Sequence, residues 1–345
     1  MTVKIKQKLL REMLDERKRD MKKEKTKLIT SIGGQALMEG IMMRGPKKST
    51  VAVRKYDGKI ELEEIKPLDW GKKHKLLRLP LIRGVVNMID SLVTGERALM
   101  MSADKAMEGE DDPEEELSKL DIWLDKHFGD KALKIIMGIS TFVAVAFCIA
   151  VFYFMPTILF NLTANVAAFL RQPVIGMERF WQSAYEGIIR IILFLIYMCL
   201  CTINKDVKRV FQYHGAEHKT IFCYEYGLEL TVENVRRQRR FHPRCGTSFL
   251  VLMLIVGIII GLFIPVNHPV IRPVIKFLLL PLTVGVGYEL IRICGRHDNA
   301  LTRIIAAPGV WMQHITTKEP ADDMIEVAIE AMKDVIPENG EDRIG

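Results

Sequence analysis

His214-Gly215-Ala216-Glu217-His218 places two imidazoles and a carboxylate within five residues. At helical spacing the imidazoles at i and i+4 share one face, so both can reach a single divalent ion, zinc being the ion we expect. Glu217, in the same turn, stands where a general base for an attacking water is required. The bland alternative is a cytoplasmic juxtamembrane helix whose histidines meet headgroups or water. Company strengthens the metal reading: three of the eight histidines lie within residues 214–242, with Cys223 and Cys245 nearby. His242 and Cys245, in His242-Pro243-Arg244-Cys245, are candidate third ligands, or else form a tight turn packed against an apolar segment. Glu289 is a further candidate, because an ionisable residue in an apolar segment is costly and often functional. Its alternative is an ion pair with Arg292.

The H-x-x-E-H order is that of the inverted zinc-protease signature. The segment 205–226 that carries it reads as a helix ended by Gly227, which puts His214, His218, Ile221 and Glu225 on one face. Gly215 weakens that helix by up to about 1 kcal/mol relative to Ala, or else admits the close approach of another backbone.

Four apolar segments frame this helix, at about 132–155 (closed by Pro156), 187–203, 248–265 and 271–294. Each reads as long and apolar enough to cross a bilayer as a helix, which takes roughly 20 residues. The expected fold is therefore an α-helical polytopic membrane protein with about four transmembrane helices. Residues 1–30 hold eleven Lys and Arg against five acids, and 204–247 is also basic, whereas 156–186 and the Asn267-His268-Pro269 turn are nearly free of positive charge. Basic loops stay on the cytoplasmic side. That rule puts both termini and the 204–247 loop inside a cytoplasmic (inner) membrane.

Outside the spans, residues 1–30 read as a basic cytoplasmic helix and 31–105 as a small α+β region. Within it, 50–56 and 59–65 flank Asp57-Gly58, a two-residue β-hairpin signal. The string IGGQALMEGIMMRGP (32–46) suggests tight backbone packing or a lining loop, with Glu39 and Arg44 forming an ion pair or reaching toward a site. Residues 76–103 read as an interfacial helix bent at Pro80 and Gly84. Residues 106–118 are an acidic linker, 119–300 the four-span domain, and 301–345 a cytoplasmic helical tail. In that tail Met324, Val327, Ala328, Ala331 and Val335 form an amphipathic stripe that must dock on this chain or on a protein partner.

The 345 residues are 49% hydrophobic and 26% charged, with a net charge of +7. The charge suggests nucleic acid until its placement is considered. Arg236-Arg237-Gln238-Arg239-Arg240 lies between apolar segments, where it fixes topology or meets lipid headgroups, so no nucleic-acid partner is expected. Six cysteines, four of them in apolar runs, fit reduced thiols rather than a disulfide framework. The charged start of the chain has no apolar core and does not read as a signal peptide.

GGQALMEGIMMRGP (33–46), HGAEHKTI (214–221) and HPRCGTSF (242–249) together resemble the YqhQ-like family of uncharacterised bacterial membrane proteins, from about Ser31 to the C-terminal helix. The resemblance implies a membrane architecture and a predicted metal-dependent enzyme of unassigned reaction. It implies no descent from the inverted zinc proteases, whose fold is soluble and α/β. The leading expectation is a membrane-embedded, metal-dependent hydrolase acting on a lipid, a membrane-proximal peptide or a small amphiphile. A non-catalytic scaffold or assembly factor is the second reading. A transporter component is the third, disfavoured because four spans are few for a transporter unless it oligomerises.

Overall fold

The computed structural model describes residues 28–68, 70, 74–108, 131–166, 177–297 and 299–343. The basic helix expected over 1–30 and the acidic linker over 106–118 fall almost entirely outside the described residues.

Four strands, β1 (Gly33–Leu37), β2 (Gly40–Arg44), β3 (Ser49–Arg54) and β4 (Ile60–Ile65), form an antiparallel sheet in sequence order. The hairpin expected at Asp57-Gly58 joins β3 to β4, but through three residues rather than two. Lys55 N–H donates to Lys59 O, Gly58 N–H donates to Lys55 O, and Gly58 takes the left-handed φ of 82° that this longer loop requires. Strand alternation sends side chains to two covered faces. Ile41, Met43 and Ala52 face one core, while Leu37, Met42, Val51 and Val53 face another with Ala98. Burial on both faces explains why β2 and β3 read as continuous apolar runs.

The second face is covered by α1 (Ile82–Met107), which follows a 3-10 turn at Lys75–Arg78. Pro80 precedes this helix rather than bending it. Gly84 is a contact point: a Cβ there would lie 3.1 Å from Gly285 Cα and 2.7 Å from Tyr288 Cβ. The first face is covered by α11 (Asp322–Val335), whose stripe of Met324, Val327, Ala328, Ala331 and Val335 is buried against the sheet and the H-x-x-E-H helix, here α5 (Lys205–Glu225). Its docking surface is this chain. The sheet, α5, α6 (Val232–Arg236) and α11 thus share a core drawn from the start, middle and end of the sequence.

The apolar helices differ in extent from the expected segments. Helix α2 (Lys131–Ile149) runs through a π-helical turn at Ala150–Phe154 into α3 (Met155–Val166), so Pro156 does not close it. A proline lacks the N–H that would bond the carbonyl four residues back. That carbonyl, Phe152 O, instead accepts from Arg190 Nε at 2.8 Å. Helix α4 (Met177–Cys201) starts ten residues before the expected Gly187. Helices α7 (Gly246–Leu262), α8 (Ile271–Leu278) and α9 (Leu280–Arg296) follow, then α10 (Ala300–Thr316). Among the described residues two stretches, Ile139–Thr163 and Phe180–Cys201, are long and apolar enough to cross a membrane, and α8 with α9 is a third if the 46° bend lies within one span. Helix α7 is apolar but has 17 residues. The fold is therefore largely helical with a small N-terminal sheet, and among the described residues two to three helices are span-length.

Candidate metal centre

Helix α5 begins at a capped terminus: the Asn204 side chain accepts from the Asp206 and Val207 amides at 2.7 and 3.3 Å. It ends before Gly227, which adopts φ 64°. Between these signals the helix runs through the core it shares with the sheet and α11, and Gly215 through Cys223 are buried without interruption. Gly215 serves close approach. A Cβ there would lie 2.0 Å from the Lys318 carbonyl oxygen, and Lys318 N–H donates to Phe211 O at 2.8 Å. The segment after α10 is thereby pinned along α5.

The pinned segment and the loop after α6 orient the imidazoles. His214 Nδ1 lies 2.9 Å from Thr316 O, and His218 Nδ1 lies 2.5 Å from Arg240 O. A carbonyl can only accept, so each Nδ1 carries a proton, and in the neutral ring the Nε2 lone pair is the one left for a ligand. Cys245 supplies the third donor, with its Sγ 3.1 Å from His214 Nε2. One ligating atom from each of His214, His218 and Cys245 falls within 4.8 Å of the others. This buried His/His/Cys cluster is able to coordinate a metal ion.

Cys245 is held by its own chain signals. It is the N-cap of α7, with its Sγ 3.4 Å from Thr247 N and 3.1 Å from Thr247 Oγ1. Its loop is clamped by Gln313 of α10, which accepts from His242 N–H at 2.7 Å and donates to His242 O at 2.7 Å and Ser248 Oγ at 3.1 Å. Arg244 ties the same loop to Glu225 and to Thr30 O. Burial would raise the Cys245 thiol, but His214 and His218 reverse that and hold it well below its ordinary range. A thiolate is the form a metal needs. Burial opposes charge on His214, yet the Cys245 sulfur beside it prevails and lifts the imidazole to about 9.

Glu217 is buried, three residues after His214 and immediately before His218. Its carboxyl is raised by burial, against the lowering influence of His214 and His218 and of the Gly34 N–H. The approach of β1 is close: a Cβ on Gly34 would meet Glu217 Cγ and Cδ at 3.0 Å and Met42 O at 2.7 Å. Gly34 thus brings the β1 backbone to the carboxylate, the tight packing expected of that string, which forms strands rather than a lining loop.

The other candidates lie elsewhere. His242 sits beside the cluster, its ring centre 5.6 Å from that of His218, but its Nδ1 accepts from Arg244 N–H and its Nε2 points toward Glu225 Oε2 at 3.8 Å. Burial depresses it to about 4, so it is a neutral packing residue at ordinary pH. Glu289 binds Arg83 of α1, with Arg292 at 3.9 Å, and stands apart from the cluster. Glu39 and Arg44 do not pair with each other: Glu39 binds Arg209 at 2.5 Å and Arg44 binds Asp90 at 2.5 Å. Three arginines of the 236–240 run are neutralised within the protein, Arg236 by Asp322, Arg237 by Glu233 and Arg240 by Glu319. Sequence reasoning did not single out Gln313, Thr316 or Arg240 as site-builders, and two of these contribute through the backbone, where side-chain identity carries no signal.

A family model described as a protein of unknown function, DUF1385, matches residues 79–338. The Uncharacterized protein YqhQ of Bacillus subtilis (strain 168) is 32% identical over 313 residues, covering 90% of this chain and 94% of that protein. No solved structure matches the chain. On the extent of both matches, the chain belongs to the DUF1385 family and is similar to YqhQ over most of its length.

Proposed function

We propose that the protein is a membrane-embedded, metal-dependent hydrolase with its centre at the cytoplasmic face. The observation that carries this reading is the convergence of His214, His218 and Cys245 within 4.8 Å, with both Nδ1 atoms committed to backbone carbonyls. Two nitrogens and one sulfur suit zinc, and three protein ligands leave a position for substrate or water. A divalent ion there supplies Lewis-acid polarisation of a carbonyl or phosphoryl oxygen. Glu217, raised by burial, takes a proton from the attacking water and returns it to the leaving group. The Gly34 N–H holds that carboxylate in place.

Membrane placement follows from lengths and charges. We assign four crossings: α2 with α3, α4, α7, and α8 with α9. At 17 residues α7 spans about 26 Å, short of a hydrocarbon core of about 30 Å but within the mismatch a bilayer absorbs. The basic 204–247 segment then faces the cytoplasm with α5. Helix α1, which exposes Ile82, Ile89, Leu92 and Leu99, lies in the interface and brings the centre to the bilayer surface. The substrate class is accordingly a lipid, a membrane-proximal peptide or a small amphiphile.

The experiment is a screen of ester, amide and phosphoester substrates in bilayers, with Glu217→Gln as the matched blank. Turnover should fall by about 10²- to 10⁴-fold in the variant. Equal turnover in the two proteins would remove Glu217 from the chemistry.

A second reading rests on the 3.1 Å contact between His214 Nε2 and Cys245 Sγ at a helix N-terminus, the arrangement of a cysteine nucleophile with its imidazole base. It requires no metal. Activity that survives chelation but is lost on alkylating Cys245 would favour it over the hydrolase with a bound ion.

A further inference from the structure

Four ionisable side chains are buried among the apolar helices: Glu186 and Arg190 on α4, Arg272 and Lys276 on α8. Three cations face one carboxylate, an excess of two positive charges. Arg272 uses all its donors within the protein. Its Nε reaches Glu186 at 3.3 Å, Nη1 reaches Ile264 O and Val266 O at 3.1 and 3.0 Å, and Nη2 reaches Ser183 Oγ and Gly261 O at 2.7 and 3.2 Å. Lys276 binds the same Glu186. Arg190 is different. Its Nε serves the Phe152 carbonyl that Pro156 left free, and its guanidinium lies 5.3 Å from the Tyr153 ring centre. Its Nη2 is buried without a partner, although the residue is 7% exposed. A buried guanidinium with an unused donor and no counter-charge of its own is costly unless an anion completes it.

Arg190 and Lys276 stand in the wall of a cavity of about 250 Å³, whose remaining walls include Phe194, Leu254, Gly257 and Leu280. Tyr197 and Leu250, 48% and 42% exposed, line it where it reaches the outer surface of the helices. Cationic groups on an otherwise apolar wall call for an amphiphile with an anionic head. A phosphomonoester carries about 1.5 to 2 negative charges, which matches the excess where a single carboxylate does not. Arginine is also suited to the spread of phosphate oxygens.

We propose that this cavity binds an acidic phospholipid of the phosphatidate type, its phosphate on Arg190 and Lys276 and an acyl segment along Leu254, Gly257 and Leu280. The site rests on the membrane placement of these helices and not on the metal centre. The test uses the full-length protein in nanodiscs of phosphatidylcholine with or without phosphatidate, reading retained lipid by native mass spectrometry after mild detergent release. Wild type should retain phosphatidate at least tenfold over phosphatidylcholine, and Arg190→Met should lose the preference. Gly257→Leu gives a second arm should Arg190→Met fail to fold. A Cβ at Gly257 meets only Thr283 Cγ2, at 3.7 Å, so the longer side chain enters the cavity and should displace lipid with every charge intact. Millimolar inorganic phosphate should not compete. Equal retention of both lipids by wild type, or a preference that survives in a folded variant, would overturn the assignment. Full competition by inorganic phosphate would overturn the lipid and leave a small-anion site. A protein recovered without detergent in the soluble fraction would overturn the membrane placement itself, a result separable from lipid preference.

Discussion

In the proposed hydrolase, Glu217 and Gly34 are the residues on which the chemistry would turn, and they are separable by mutation. Gly34→Ala should leave metal content intact while pushing the Glu217 carboxylate aside, because the new Cβ meets Cγ and Cδ at 3.0 Å and a fixed backbone oxygen at 2.7 Å. Turnover should drop on the order of 10²-fold, the scale of losing a positioned proton acceptor. Unchanged turnover would show that β1 does not position the carboxylate. His242 makes a prediction about pH. Its pKa is depressed by burial to about 4, against about 6.5 when unfolded, so below pH 6.5 the unfolded chain binds the extra proton. Stability should therefore fall as pH drops from about 6.5 to 4, by up to about 3 kcal/mol. Thermal unfolding in detergent across that range should show the loss, and His242→Phe should flatten it. At this scale the sequence was informative where function is local. His214, Glu217 and His218 come from one helix turn, and Cys245 follows in the next loop. For Glu289 the pairing with Arg292 was legible and forms at 3.9 Å, whereas its nearer partner, Arg83, lies 206 positions away and was not.

Helix α5 was readable from end to end: Asn204 caps it, Gly227 follows its end, and its apolar face is continuous. What the sequence left open was why Gly215 stands beside a ligand. The Lys318 carbonyl occupies the space a side chain would need, so Gly215→Ala must separate α5 from the segment that orients His214 through Thr316 O. We expect a loss of about 1–3 kcal/mol, typical of overpacking, seen as a lower Tm and weaker metal retention. A variant as stable as wild type would mean that this contact is dispensable. Pro156 carries the opposite lesson. A proline in an apolar run ordinarily marks an end, yet here a π-turn and a guanidinium from α4 satisfy the carbonyl it strands. No local pattern announces a donor arriving from 38 residues away.

At the scale of the whole molecule, the sheet, α5 and α11 share one hydrophobic core, and the apolar helices carry their own buried charges. Segment-by-segment reading does not join Ile41, Ala216 and Met324, because the pairing of distant apolar stripes is fixed only by packing. Orientation is testable with introduced cysteines, since Cys223 and Cys245 are buried and poor reporters. Lys59→Cys, in the exposed β3–β4 loop, should resist an impermeant thiol reagent in intact cells, whereas Asn267→Cys should label. The reverse pattern would invert the topology. The central claim is that the His/His/Cys cluster is a metal centre served by Glu217, and elemental analysis of the purified protein tests it most directly. Wild type and Glu217→Gln should each carry close to stoichiometric divalent metal, while His214→Ala should be empty. A wild-type protein that holds no metal and binds none at micromolar concentration would contradict the account.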